Sequence, residues 1–398
     1  MLKFEIYAPI NVPINWQSEL VIDNEQRYSL LKNYLSTIKG VDIKPNNWPM
    51  GFGSLEHDNL PLLYQPSAIL EVEDFETEDD ISHSNIYVYD NCLAILNLGL
   101  IVNTNIINID DFGITERVEE LSKKHLEPIL KLIYLSTTKP PLINPRDYKF
   151  FNNEKLELTN AKPLWVARML TQDKNITSKH YIDWLKSVDS DSEFLKLGSG
   201  NSLLTNDKYF LNVHRIMVMS QFHAALMNRI ENLLKENLKK FNGNYYNKKV
   251  LNSLSSSFSN QQYRNDHIEY INIQVSTAAS GIQGSRRELF QQFNLSWQFN
   301  EQQERVNQLT SLVQARIDRL LQSKLRQRSR SIQTLLSFLG SLGLISLIVD
   351  LISVENDVNH DDTLGLLDLI KLLPAESLIG LTVLIITLLT FYFYKNHE

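Results

Sequence analysis

Cysteine is almost absent from this chain of 398 residues, where Cys92 stands alone. A disulfide framework and a multi-thiolate metal site each need at least two sulfurs from one chain, so both are excluded. Cys92 itself reads as a small buried hydrophobe. A basic excess is also missing: 39 Lys and Arg face 46 Asp and Glu, a net charge of −7. A nucleic-acid footprint requires clustered positive charge, so direct DNA or RNA binding is not expected. The start, Met1 to Tyr7, has no apolar stretch behind a basic flank and does not read as a secretory signal peptide. Enzyme signatures are lacking as well. There is no GxxxxGK[ST], GxSxG, HExxH or CxxC, and Gly198-Ser-Gly200 and Gly281 to Gly284 are too short to cradle a phosphate. No catalytic residue is assigned, no covalent cofactor is expected, and the chain is not read as an enzyme. His214 and His223 share a predicted helix but lie nine positions apart, not the i, i+4 spacing of a two-histidine metal site. They read as ordinary helix-surface or core histidines.

What is present is apolar and unevenly spread. The 43% hydrophobic content is ample for a core, and the mean hydropathy of −0.22 describes a soluble protein. The last seventy or so residues depart from that mean. Ser331 to Val349 and Ser377 to Tyr394 carry no charge, and each approaches the ~20 residues a helix needs to cross a bilayer core. Arg316, Arg319, Lys324, Arg326, Arg328 and Arg330 precede the first run, and Lys395 follows the second. Between the runs lie Glu355, Asp357, Asp361, Asp362, Asp368 and Glu376 against Lys371 alone. Because basic residues stay on the cytoplasmic side, both termini are expected in the cytoplasm and the acidic loop outside, in a multi-pass protein of the bacterial inner membrane. Phe391 to Tyr394 reads as an aromatic belt at the inner interface.

The fold class expected is an α+β membrane protein. Its parts are a cytosolic α/β domain (1–205), a cytosolic helical stalk (206–330), a first transmembrane helix (331–353), an acidic loop (354–375), and a second transmembrane helix with a short tail (376–398). In the first part, strands are expected over Lys3–Ala8, Ala68–Val72, Asn85–Tyr89 and Cys92–Val102, with a turn at Asp90-Asn91. Helices are expected over Glu19–Lys39 and Thr115–Leu135, then a proline linker at Pro140, Pro141 and Pro145. The acidic stretch Glu71 to Asp80 reads as a solvated loop rather than a cation tract. From Lys208 to Asn242 a stripe from Ile216 to Leu233 predicts a long helix, and a weaker helix contains Ile268, Ile271 and Val275. After the break at Ser280–Ser285, residues 286–353 hold no Pro and no Gly before Gly340, so one helix is expected to enter the bilayer. Val306, Leu309, Val313 and Leu320 fall near a heptad.

Polar residues on that helix are the candidate site. Ser323, Gln327, Arg330, Thr334, Ser337 and Ser341 recur at steps of 4, 3, 4, 3 and 4. Hydroxyl and amide oxygens on one face suit a pore lining, since they replace part of an ion's hydration shell. The same small residues, with Gly340 and Gly343, suit close helix packing, and both readings stand. Two helices cannot enclose a path alone, so transport requires a homo-oligomer in the bilayer. A ring of such chains multiplies Asp350, Glu355, Asp357, Asp361 and Asp362 into an outer mouth that attracts cations; a loop kept acidic only as the outward side is the alternative. Arg326, Arg328 and Arg330 read as headgroup anchors or as a barrier to ions. Arg286 and Arg287, at a helix start beside the glycine break, are a candidate anion site.

This layout resembles the CorA-like superfamily of divalent-cation transporters. The resemblance covers nearly the whole chain: a mixed N-terminal domain to about residue 205, helices at 208–242 and about 260–280, a long helix at 286–353 and a closing helix at 377–394. It implies a pentamer around the first transmembrane helix, divalent cations such as magnesium as cargo, and cytosolic gating. Where the family carries Gly-Met-Asn, Leu347 to Ser353 has no such tripeptide, and no filter residue is carried over. Divergent CorA-like proteins also resemble membrane effectors of CRISPR-type antiviral defence, gated by a nucleotide messenger. That resemblance implies an alternative, a nucleotide-activated protein that disrupts membrane integrity.

Overall fold

The computed structural model describes residues 2–14, 24–46, 66–89, 91–102, 111–136, 155–171, 185, 194–198, 200–242, 265–266, 268–273, 275–276, 280, 282, 284–355 and 374–395. The strands are β1 (Leu2–Asn11), β2 (Val41–Lys44), β3 (Ala68–Val72), β4 (Ile81–Val88), β5 (Leu93–Val102), β6 (Ala167–Thr171), β7 (Leu195–Leu197) and β8 (Asn201–Leu204). The helices are α1 (Asn24–Leu35), α2 (Asp111–Leu121), α3 (Glu127–Ser136), α4 (Lys155–Thr159), α5 (Phe210–Asn242), α6 (Ser285–Ser296), α7 (Phe299–Glu355) and α8 (Ala375–Lys395). An N-terminal sheet domain and a long C-terminal helix are thus both present. Two compact units divide the chain, one of residues 1–243 with 256–314, the other of 244–255 with 315–398. The unit that holds the sheet therefore runs past residue 205 and takes in α5, α6 and the start of α7.

Eight strands form one sheet in the order β2-β3-β4-β5-β1-β6-β8-β7, antiparallel throughout except for the parallel pair β6–β8. Strand β5 (LAILNLGLIV) is apolar at almost every position, the pattern of a central strand covered on both faces. One face carries Phe4, Ile6, Ala8 and Ile10 of β1 and shares a core with Leu31 and Leu35 of α1, Val118 of α2 and Ile133 of α3. The other face carries Tyr7, Asn97 and Tyr87 and packs under α5, which contacts β1 and β5. At the β4–β5 turn the left-handed pair is Asn91-Cys92, one residue later than expected, with φ of 59° and 58°. Cys92 is buried. An Arg229 guanidinium from α5 donates to the Asn91 carbonyl (2.8 Å) and holds this turn.

Three local expectations are corrected. The acidic stretch is not a free loop: Glu73–Thr77 is a 3-10 helix whose Phe75 is buried. Residues 115–135 are interrupted by a π-helical turn at Ser122–Leu126 between α2 and α3. The helix expected over 286–353 is broken at Trp297-Gln298 without any glycine. There Gln298 adopts φ 57°, the Trp297 amide bonds the Phe293 carbonyl (3.0 Å), and its indole N–H donates to the Gly198 carbonyl (2.7 Å). An anchored C-terminal cap of this kind tolerates a side chain at the left-handed position. The proline linker and the first turn expected at Glu19 lie outside the described residues.

Candidate functional site

α7 is 57 residues long and unbroken across residues 324–331. Its buried positions Val306, Thr310, Val313, Ile317 and Leu320 advance by alternating steps of four and three, a heptad seam. Thr310, not Leu309, fills the inner position; Leu309 is only half-buried, and the Thr310 hydroxyl is satisfied by the Val306 carbonyl (2.8 Å). Burial stops at Leu320. Beyond it Leu325, Ile332, Leu335, Leu336, Phe338 and Leu339 are all exposed. Among the described residues, α7 is the one helix long and apolar enough to cross a membrane by length and composition. In the 21-residue α8, the described apolar stretch is shorter, Ile379–Leu388.

Along this bare segment the expected polar face is real at the backbone level, because α7 is continuous. Thr334 and Arg330 are exposed; Ser337, Ser341 and Ile345, spaced by four, are the half-covered positions. Ser341 Oγ donates to the Ser337 carbonyl (2.6 Å) and Thr334 Oγ1 to the Arg330 carbonyl (2.9 Å). In α8, Thr387 does the same to Val383 (2.7 Å). Back-bonding to i−4 satisfies each hydroxyl proton inside its own helix and leaves the oxygen lone pairs available, as a helix in hydrocarbon or beside a water path requires. Ser337 and Ser341 are thus less exposed than Thr334, and both the pore-lining and the packing readings stand. Gln327 lies on α7 in the same register. Arg319, Arg326 and Arg330, with Gln322 and Ser323, line a shallow groove of about 310 Å³ just before the apolar run. Asp350 is exposed near the far end of α7, and Glu355 is its last residue. Asp357, Asp361 and Asp362 lie outside the described residues.

Arg286 and Arg287 occupy the first turn of α6, after Gly284 at φ 63°. Arg287 is exposed, whereas Arg286 is half-buried with Nη1 enclosed and unpaired among the described residues. Gly281, the other end of the expected anion loop, lies outside those residues.

Sequence reasoning did not find the polar core beneath α5. Tyr7 Oη lies 2.9 Å from His214 Nδ1 and Tyr87 Oη lies 2.8 Å from His214 Nε2. A neutral imidazole has one N–H, so one phenol donates to the ring and the other accepts from it. Burial drives the His214 pKa down to about 4, although Glu5 pulls the other way; His214 is the core histidine of the two open readings. Beside it, Glu5 is buried and meets His83 Nε2 at 3.0 Å and Lys3 Nζ at 3.4 Å. Burial pushes the Glu5 carboxyl up, but the His83 hydrogen bond and charge, with Lys3, outweigh it and hold the pKa below its usual value. Gly99 permits this pair: a Cβ there would come within 2.5 Å of the His83 ring. The Tyr7–His214–Tyr87 part of this cluster is enclosed and fastens α5 to β1 and β4.

A second network pins the acidic stretch. Glu78 takes Lys124 (2.6 Å), His125 (2.6 Å) and Arg117 (3.0 Å), and Arg117 also bonds Asp80 (2.9 Å). The Lys124, His125 and Arg117 hydrogen bonds lower the Glu78 pKa to about 2. The π-helical turn supplies Lys124 and His125, so that irregularity aims two hydrogen-bonding side chains at one carboxylate. Among the described residues, no three His, Cys, Asp or Glu side chains are grouped to hold a metal ion. Comparison with family models, with curated proteins and with solved structures returns no match.

Proposed function

We propose that this chain is a homo-oligomeric membrane channel or transporter for cations, of CorA-like layout, with α7 and α8 as its two membrane spans and the sheet unit as its cytosolic gate. The observation that carries this reading is the bare apolar stretch of α7 after Leu320. Large side chains left uncovered over five turns need lipid or other copies around them, and Ile332–Val349 extends about 27 Å against a hydrocarbon core of about 30 Å. α8, at 21 residues, extends about 31 Å by the same rise.

Orientation follows from the arginines before the apolar run and the acidic residues after it. In an oligomer, Gln327, Arg330, Thr334, Ser337 and Ser341 line the path, and Asp350 and Glu355 stand at its outer end with Asp357, Asp361 and Asp362. α7 is unbroken through residues 324–331, so the segment that leads into the path carries no hinge of its own. Ion flux into liposomes holding the purified protein tests this. Flux is expected, and Thr334→Leu with Ser337→Leu is expected to suppress it at unchanged protein incorporation. Absence of flux with magnesium, potassium and sodium alike, from correctly inserted oligomer, would remove the transport reading.

A further inference from the structure

Within the sheet-bearing unit, a cavity of about 460 Å³ opens between α5, the helical residues 268–273 and 275–276, α6 and the first turns of α7. We infer that it is a binding site for a neutral purine, taken up as the base or nucleoside.

The floor of the cavity is apolar and ring-bearing. Met227 and Ala224 of α5 lie beside His223, and the His223 and Phe290 rings meet edge to face (88°, centroids 6.2 Å apart). The wall toward solvent is carboxamide. Asn272 donates to Asn307 (3.2 Å), and Gln303 donates to both Asn272 (3.0 Å) and Asn307 (3.4 Å). Asn294, Asn300 and Gln302 also line the cavity, and their side-chain amides make no hydrogen bond to another side chain among the described residues. Among the described residues, no Asp, Glu, Lys or Arg is in the lining.

That composition selects by exclusion and by match. A phosphate, a carboxylate or a metal ion held without an opposite charge loses its hydration uncompensated, so a charged ligand is disfavoured. Carboxamides present a donor and an acceptor side by side, which pairs in bidentate fashion with the amino-and-ring-nitrogen edge of adenine. An imidazole and a phenyl ring offer the faces and edges on which a flat heterocycle rests. The volume lies within the ~300–1,000 Å³ of small-molecule pockets. Packing between the helices explains the three mutually bonded amides; it does not account for three more that line the same volume.

Calorimetric titration of the full-length chain in detergent micelles with adenosine, guanosine, uridine and inorganic phosphate tests the inference. Adenosine is expected to bind, uridine more weakly, and phosphate neither to bind nor to displace adenosine. Asn300→Leu, at the exposed rim, is expected to weaken adenosine about tenfold or more without changing the circular dichroism spectrum, the loss of one amide pairing. Ala224→Phe, which fills the floor, is expected to abolish binding. No adenosine binding by the intact chain, displacement of adenosine by phosphate, or unchanged affinity in folded Asn300→Leu overturns it. The readout is binding alone, so its failure is distinct from a failure of ion flux.

Discussion

The sheet body and the C-terminal helices use the same side chains in opposite surroundings. Phe4, Ile6 and Ile10 of β1 are wholly enclosed, whereas Leu335, Leu336 and Leu339 of α7 are 60%, 60% and 53% exposed. In the body, helices on both faces of the sheet remove apolar surface from water. In α7 that covering ends at Leu320, and nothing in the described chain replaces it. Polar groups differ in the same way. Those of the body pair across long sequence distances, Tyr7 with His214 and Glu78 with His125. The hydroxyls of Thr334, Ser341 and Thr387 in α7 and α8 pair with their own helix. One region is thus completed by its own chain, and in the other no described residue covers the apolar side chains.

The largest expected effect breaks that contrast in the body. Phe222 stacks on Tyr89 at 3.9 Å between centroids and is fully buried, so Phe222→Ala should cost about 3–5 kcal/mol in denaturant unfolding. Leu336→Ala, the same kind of truncation on the bare helix, should change unfolding of the body by under about 0.5 kcal/mol. Equal losses would mean that α7 is covered after all. Next in size is a charge in the bare segment. Leu339→Arg should disfavour insertion by about 2.5–3.5 kcal/mol, read as a shift from membrane to soluble fraction; Leu211→Arg, on an exposed position of α5, should leave the fraction unchanged.

Acid should loosen the body through His214. Its pKa is lowered to about 4 in the fold against about 6.5 unfolded. Between those values the unfolded chain binds the extra proton, so stability falls by about 3 kcal/mol as pH drops from 6.5 to 4. His214→Gln should flatten that window in unfolding titrations. Glu5 and Glu78, with lowered pKa values, add stability above about pH 4.3 that fades as pH falls further, so a loss confined to below pH 4 would assign the acid response to them instead. The smallest effect is at the break between α6 and α7: Trp297→Phe removes the hydrogen bond to Gly198 and should cost about 1 kcal/mol.

Strands β1, β3 and β5, α5 and the long helix were legible because each has strong local periodicity. The short strands β6, β7 and β8 were not: three to five residues carry little pattern, and β6 is placed by pairing with β1, far away in the chain. The Trp297-Gln298 break was illegible because it is held by Gly198, 99 positions away, not by a local glycine. For the site, spacing located the face shared by Arg330, Thr334, Ser337 and Ser341. Coverage, which separates packing from exposure, needed coordinates. The tyrosine–histidine cluster left only one clue in the sequence, polar residues at alternate positions of otherwise apolar strands.

Topology tests the central claim most directly. Because Cys92 is buried, a Cys92→Ser background admits single cysteines by Asp361→Cys or Asn396→Cys, probed with a membrane-impermeant maleimide on intact cells. A hairpin of two spans predicts labelling of the first from outside and of the second only after the membrane is opened. Labelling of both positions from the same side, or recovery of the chain in the soluble fraction, would contradict it.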